Sequence, residues 1–436
     1  MKRTLAITHA RGFLGKMLCQ QALEQGFTVI GLVFGEEDNA YNIPGVRYVS
    51  LGSPPDPVAG GMGDDKTQKY GGANLHDRAP DDTLADITTL IDAGGPYSLD
   101  TELLGHDIPL QGSRSPEPLE KAILSDDFTQ ALEAFYSSTT TQILNLALTL
   151  PRLEHYIGLS SLSLGHKFDP LDQTGPKGSS EETVALVEKP ILHETAALIR
   201  NPAARLRLKK TPMSHPLGLS ALQFERLVEG SFGWKRPDVL RTVVRLGTLI
   251  GHSETGEYPN LHGLYSLIPF CHQLARGSLV LNRLPLLPLP FSERWRLSLI
   301  PVDIASKALL GFCSTDYERK QRQKRPLKSV AYRHLAEPER DVSVRRVFSA
   351  TFRYLGLELP PFAIGSHFFV DHLYRSLGLE TKMLELLALQ IPAHADQFHR
   401  EFPGFTMKPM IEYFPIMIDY AQKHLLHKRP LRGNSP

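Results

Sequence analysis

The sequence predicts an α/β protein built on a doubly wound parallel sheet, with a smaller mixed region towards its C-terminal end. Three observations carry the prediction. A strand–turn–helix–strand unit opens the chain at Thr4–Phe34. Short apolar, β-branched runs then alternate with helix-period segments along most of the 436 residues, and such alternation builds parallel sheets. The first turn carries Gly12 and Gly15 at the start of a helix, where sheets of this class hold a nucleotide phosphate.

The elements follow in order. Leu5, Ala6 and Ile7 form the first apolar run, which breaks at Thr8–Gly12. Phe13, Leu14, Met17, Leu18, Ala22 and Leu23 then recur at helical spacing. Gly26 is placed to end that helix. Phe27–Val33 is a second strand, Val46–Leu51 a third and Ile87–Gly95 a fourth. Residues 52–72 are rich in Gly, Pro and Asp and read as an insertion. Asp126–Leu150 is a long helix that stops at Pro151. His155–Leu159 is the fifth strand and runs into Ser160-Ser161-Leu162-Ser163. A second insertion spans 167–216. His215–Gly230 is helical, Val239–Gly251 a strand, Leu299–Leu310 strand then helix, and Val330–Leu355 strand then helix. Pro409–His424 is a helix expected to kink at Pro415. The expected division is a first domain over 1–250 and a substrate region over 251–436, partly interleaved with the sheet.

Composition narrows the function classes. A net charge of +1 supplies no field for nucleic acid. Cys19, Cys271 and Cys313 lack metal or disulfide spacing, so no metal site is expected and a reducing compartment is. There is no cleavable leader pattern and no apolar run long enough to span a bilayer. The expected location is cytoplasmic.

A dinucleotide turn asks three things of its glycines: a tight exit from the strand, room for backbone to approach a pyrophosphate, and close helix–strand packing. Gly12 and Gly15 serve the second and third. The first position holds His9, a large side chain where the cofactor normally passes.

With these residues in view, the chain resembles the extended short-chain dehydrogenase/reductases. Their TGATGFLGK fingerprint appears here as THARGFLGK, differing at His9 and Arg11. The GFLGK version looks most like the fatty acyl-CoA reductase and thioester-reductase branch. LGLSALQFERLV at 217–228 is similar to the family's YGLSKLQAERLV. RLGTLIGHSETGE and LIPVDIASKALL are similar to two further family segments, with Leu246 for Pro and His252 for Asp.

The resemblance implies a Rossmann-type fold and an NAD or NADP cofactor. Thr8, Arg11, Gly12, Phe13, Leu14 and Gly15 would hold it on the first turn, and Ala93 and Gly94 on the loop after strand four. Arg11 would favour a 2′-phosphate, whereas the acidic run Gly35–Asp38 would favour NAD, so the preference stays open. The family's active-site Ser falls at Ser161 and its relay Asn at Ser137. Its Tyr and Lys positions hold Leu217 and Ala221. In the family the Tyr supplies a proton as charge develops on a carbonyl oxygen, and the Lys lowers its pKa. Neither group is present. His215, two residues before Leu217, is the candidate displaced acid.

The expected function is therefore a divergent, catalytically degenerate protein that binds NAD(P) or an acyl-type ligand, or scaffolds a biosynthetic enzyme. The first alternative is an NAD(P)H-dependent reductase of an acyl thioester or carbonyl substrate that uses His215. The second is a lyase or isomerase on the same fold. Family members pair through the active-site helix, which implies a homodimer or a partner enzyme.

Overall fold

The computed structural model describes residues 3–34, 42–52, 82–95, 139–162, 216–259, 263–275, 287–289, 296–322, 330–336, 342–364, 396–402 and 405–426. The first turn forms as the sequence spacing requires. β1 (Thr4–Thr8) is wholly buried. α1 (Phe13–Glu24) buries Leu14, Gly15, Leu18, Cys19 and Ala22 along one face. Gly26 ends it in the left-handed region at φ 81°, its N–H donating to the Leu23 carbonyl at 2.9 Å. β2 (Thr28–Val33) then runs parallel to β1.

The sheet grows on both sides of this pair. β3 (Arg47–Ser50) adds beyond β2. A short helix α2 (Asp82–Ala85) precedes β4 (Thr89–Asp92), which pairs with β1 on its other edge. A helix over 139–149, α3, leads to β5 (His155–Ser161). Next come α4 (Pro216–Lys235), β6 (Leu240–Leu246) and, after a break, β7 (Thr248–Ile250). With β11 (Ala331–Leu335) at one edge, the seven strands lie in the order β11-β6-β5-β4-β1-β2-β3, and every pairing is parallel. This is the doubly wound parallel sheet that the sequence predicts. Its strand order reverses between β1 and β4.

Each face of the sheet has its own core, as the period of two dictates. Leu5, Ile7, Ile91, Ile157 and Leu159 join α1 on one face. Ala6, Leu90, Tyr156 and Val243 join α3 and the Phe224 and Val228 side of α4 on the other. Burial of each large apolar side chain contributes about 1.5–3 kcal/mol.

The remaining elements tie the C-terminal region to this frame. Gly247 lies at the break after β6, where the backbone comes so near Ser298 that a Cβ would lie 2.5 Å from its carbonyl oxygen. β7 instead pairs with β10 (Leu299–Pro301), which follows α5 (Leu267–Ala275), β8 (Leu287–Leu289) and β9 (Arg296–Leu297). α6 (Val302–Arg322) packs against α1, and β11 (Ala331–Leu335) completes the main sheet. The residues after 250 therefore contribute to the main sheet as well as to the separate core. β12 (Val342–Ser343), α7 (Val344–Tyr354), β13 (Phe362–Ile364), α8 (Asp396–Glu401) and α9 (Met410–Tyr420) follow. α5, α7 and α9 share the separate core through Phe270, Phe348 and Met417. Pro415 lies inside α9, and the chain widens into one π turn at Ala421–Leu425.

The loop after β7 closes on itself. His252 Nδ1 accepts from the backbone N–H of Glu254 at 3.2 Å and of Thr255 at 3.4 Å. The imidazole thus performs the turn-closing role that an Asp carboxylate would have there. Ser253 donates through its N–H and its hydroxyl to the two Asp303 carboxylate oxygens, at 2.8 and 2.6 Å, which latches the loop to α6.

The three cysteines are free and buried, and burial pushes the Cys19 thiol up to about 12. No helix among the described residues is long and apolar enough to cross a membrane, and among them no group of three or more His, Cys, Asp or Glu is placed to hold a metal ion. The expected insertions at 52–72 and 167–216 lie outside the described residues, apart from their bordering Gly52 and Pro216.

Just past the end of β4 the backbone runs tight against β5. A Cβ on Gly95 would lie 1.7 Å from the Leu159 carbonyl oxygen. Gly95→Ala should cost about 1–3 kcal/mol, because backbone rather than a side chain must yield. Urea denaturation checks this, and an unchanged midpoint would mean that the loop shifts freely.

Candidate nucleotide groove and active-site helix

In an open α/β sheet, ligands bind outside the carboxyl ends of the strands, where the strand order reverses. Here that place lies between the ends of β1 and β4, at Thr8-His9 and Asp92-Ala93-Gly94. Its floor is a buried carboxylate. Asp92 Oδ1 accepts from the Thr8 hydroxyl at 2.9 Å and from the Gly94 N–H at 3.2 Å, and Oδ2 accepts from the Tyr156 hydroxyl at 3.0 Å. Burial and the adjacent Asp92 carboxylate push the Tyr156 phenol well above its ordinary range. The Thr8 oxygen also accepts from the Ala93 N–H at 2.9 Å. Thr8 and Ala93, both candidate cofactor contacts, are thus engaged in joining β1 to β4.

His9 sits directly on this floor. It is the one non-glycine residue with positive φ among the described residues, at 50°. The turn has kept the backbone of a glycine, a conformation that costs an L-residue about 1–2 kcal/mol. The imidazole lies against Gly94, where an added Cβ would come within 1.9 Å of its Cε1 atom. Phe34 covers it at a centroid distance of 5.3 Å. His9 Nδ1 is 3.3 Å from the Thr8 oxygen. The single Thr8 hydroxyl proton goes to Asp92, so Nδ1 must carry the proton of this contact. Nε2 is left with a lone pair, buried and without a hydrogen-bond partner. Such an orphan costs about 1–3 kcal/mol. Burial lowers the His9 pKa, and the Asp92 charge opposes this only in part.

The other turn residues divide between packing and surface. Gly12 caps α1 with extended backbone and no side-chain cap, its N–H donating to the His9 carbonyl at 2.8 Å. Gly15 allows the helix to close on the turn, since a Cβ there would lie 2.0 Å from the His9 oxygen. Leu14 is buried in the core. Phe13 meets Tyr258 edge to face at 5.2 Å, and Tyr258 stacks on Tyr265 at 4.1 Å, which links the turn to the C-terminal region. Arg11 reaches away from His9. It donates to Asn42 Oδ1 at 3.1 Å and lies over the Tyr48 ring at 5.5 Å, beside β2 and β3.

The second half of the site is the face of α4. Glu225 is bound to the sheet by a buried ion pair. Arg245 donates through Nε and Nη2 to its two oxygens, each at 2.8 Å. Ser160 donates to Glu225 Oε1 at 2.8 Å, and Arg245 Nη1 meets His334 Nε2 at 3.1 Å. Ser160, Arg245 and His334 form one row across β5, β6 and β11. Ala221, one helical turn before Glu225, is fully buried. Leu217 lies a further turn back in the same helix, with its side chain outside the described residues. His215, Ser137 and Gly35–Asp38 also lie outside them.

Ser160 and Ser161 fall on opposite faces of β5. Alternation along β5 puts Tyr156, Gly158 and Ser160 on the α4 side, and Ile157 and Leu159 on the other. Ser161 follows the second set. The serine that faces the helix is Ser160. Sequence reasoning did not single out Asp92, Tyr156, Glu225 or Arg245. The available signal was an acid at 225, four residues after Ala221 on the same helical face.

With the geometry established, comparison with known proteins gives the fold. No family model and no curated protein sequence matches the chain. Solved structures do. MoeE5 in complex with UDP-glucuronic acid and NAD aligns at TM-score 0.54 and 16% identity, over 97% of this chain and 100% of that one. The dTDP-glucose 4,6-dehydratase of Bacillus anthracis in complex with NAD aligns at 0.54 and 10% identity, over 97% of each chain. UDP-glucose 4-epimerase of Bifidobacterium longum, in complex with NAD+ and UDP, aligns at 0.52 and 15%, over 97% of this chain and 98% of that one. The chain has the extended short-chain dehydrogenase/reductase fold. Within this fold, the likeness extends to epimerases and dehydratases that act on nucleotide sugars. These structures give no support to the acyl-CoA reductase branch.

The groove as folded does not fit a dinucleotide. The His9 ring occupies the point of strand reversal between β1 and β4, and the Gly94 slot is already filled.

Two outcomes test this assignment. Glu225→Ala should cost about 3–5 kcal/mol by leaving the Arg245 charge buried and unpaired, whereas replacing both residues with Met should cost far less; chemical denaturation of the set decides. For His9 the sign follows from a folded pKa below the ordinary 6.5. The unfolded chain takes up a proton that the folded chain refuses, so stability is full above that value and falls as pH drops towards the folded pKa. Against His9→Asn, which tolerates the same backbone and does not titrate, wild type should lose ground between about pH 7 and about pH 5. A difference that stays flat with pH would refute an imidazole held neutral below its ordinary pKa.

Proposed function

We propose that this chain is a non-redox protein of the fold, one that binds a ligand or a partner enzyme and transfers no hydride. The helix register carries the reading. The Glu225 contacts with Ser160 and Arg245 support running positions 217 and 221 along the ends of β5 and β6, where the resemblance puts Tyr and Lys. Leu217 offers no proton, and Ala221 no cation to depress a phenol's pKa. A carbonyl oxygen gaining charge there would have neither acid nor cation from this helix turn. The engagement of Thr8 with Asp92 and Ala93, and the presence of His9 in the groove, support the same reading.

The nucleotide sugars bound by MoeE5 support a ligand of that class against the C-terminal region. The motifs of the acyl reductase branch support an acyl or carbonyl compound instead, and with it the second reading, a reductase using His215. Purified protein incubated with NADH or NADPH and a panel of aldehydes, acyl thioesters and nucleotide sugars decides between them. The expected result is no change in cofactor absorbance beyond the protein-free control. Turnover that disappears in His215→Ala and persists in a surface control would overturn the non-redox reading.

A further inference from the structure

The His9 side chain is fixed in the groove by its own backbone. Its carbonyl accepts from the Gly12 N–H at 2.8 Å and lies so near α1 that a Cβ on Gly15 would come within 2.0 Å of it. The next residue, Ala10, is fully buried and donates its N–H to the Leu32 carbonyl at 3.3 Å, which ties the turn to β2. With the chain held on both sides at φ 50°, the His9 Cβ has one direction open to it. The ring then fills the space beside Gly94, against Phe34, with Nδ1 towards the Thr8 oxygen. The polar groups at the two strand ends are engaged with one another: the Thr8 hydroxyl with Asp92, the Ala93 N–H with Thr8, and the Gly94 N–H with Asp92. The orphan atom does not suit a dinucleotide either. Nε2 carries a buried lone pair, and burial keeps the ring from gaining a proton. A pyrophosphate offers only acceptors, so it would meet Nε2 lone pair to lone pair.

We propose that His9 is a permanent plug: its ring is a fixed part of the core between β1 and β4, and the chain binds neither NAD(H) nor NADP(H). The inference goes beyond the non-redox reading, which forbids hydride transfer but leaves room for a bound dinucleotide. A plug makes positions 9 and 94 depend on each other. Gly94 is not one of the positive-φ glycines, so alanine is compatible with its backbone. The three atoms nearest to an added Cβ all belong to the His9 ring: Cε1 at 1.9 Å, Nδ1 at 2.1 Å and Nε2 at 2.8 Å. Gly94→Ala therefore conflicts with the ring itself. A ring free to leave the slot would step aside at little cost, whereas a fixed one forces the surrounding core to yield.

The test joins a double-mutant cycle to a titration, both on the full chain. Gly94→Ala should lower the melting temperature of wild type by about 2–8 °C. In the His9→Gly background, which keeps the positive-φ turn, the same substitution should lower it by less than about 1 °C. Equal losses in the two backgrounds, or no loss in wild type, would each overturn the plug. Calorimetry and thermal shift of wild type with NAD+, NADH, NADP+ and NADPH at millimolar concentration should show no heat of binding and no rise in melting temperature. Nitrogen NMR of histidine-labelled wild type does not depend on the folding of the cycle variants. With the His9 signal identified by its loss in His9→Asn, it should show the Nδ1–H tautomer, unmoved by NADH. Saturable binding of any of the four dinucleotides, or a moved His9 signal, would overturn the plug. Binding without consumption of the cofactor across the substrate panel would overturn the plug alone and leave the non-redox reading standing. Consumption of the cofactor would overturn both.

Discussion

One buried carboxylate holds the centre of this fold together. Asp92 ends β4, and its two oxygens accept hydrogen bonds from Thr8 at the end of β1, from Tyr156 on β5 and from the Gly94 backbone. Three neighbouring parallel strands are pinned by one side chain. A carboxylate buried at 2% exposure is tolerable only with such partners, since an unpaired one would be neutralised or would unfold its surroundings. The arrangement also sets what stands above it. With the Thr8 proton committed to Asp92, the His9 ring can meet Thr8 only as a donor through Nδ1. The lone pair on the far side of the ring is a consequence of the carboxylate two bonds of the network away.

A second polar layer does for α4 what Asp92 does for β1 and β4. Glu225 takes two bonds from Arg245 and one from Ser160, while Arg245 also lies 4.8 Å over the Tyr332 ring. A buried pair of this kind contributes little net stability over an apolar substitute. Its effect is on register: a helix slipped by one residue would leave Arg245 without its acceptor. The helix is therefore held in one register on β5 and β6, with Leu217 and Ala221, which carry no acid–base chemistry, in the two turns before Glu225. The network that positions the helix does not involve positions 217 and 221.

Much of this frame was legible in the sequence, and for identifiable reasons. Apolar runs of four to seven residues between helix-period segments have few solutions other than a parallel sheet. Gly12, Gly15 and Gly26 fall where backbone geometry demands them. The similarity of LGLSALQFERLV to its family counterpart reached the one helix whose register mattered. The site was less legible. Ser161 was chosen from a run of serines, and the choice depended on which residue β5 turns towards α4. That parity is set by pairing with β4 and β6. Asp92 did not stand out in the sequence, because its partners stand 84 residues before it and 64 after it.

What the sequence determined by itself is local: which segments are strands or helices, where α1 starts and stops, and which side chains at 9, 217 and 221 depart from the fold's usual chemistry. Backbone preference and hydrophobic period act over a few residues, so a linear chain records them. What only the tertiary structure decided is the meaning of those departures. His9 became the occupant of a groove through a glycine 85 positions later, and Glu225 an anchor through an arginine on the next strand. Contacts of this kind exist only once the sheet has brought its strand ends together. The proton inventory that defines His9 is a property of that assembled edge, not of any segment of the chain.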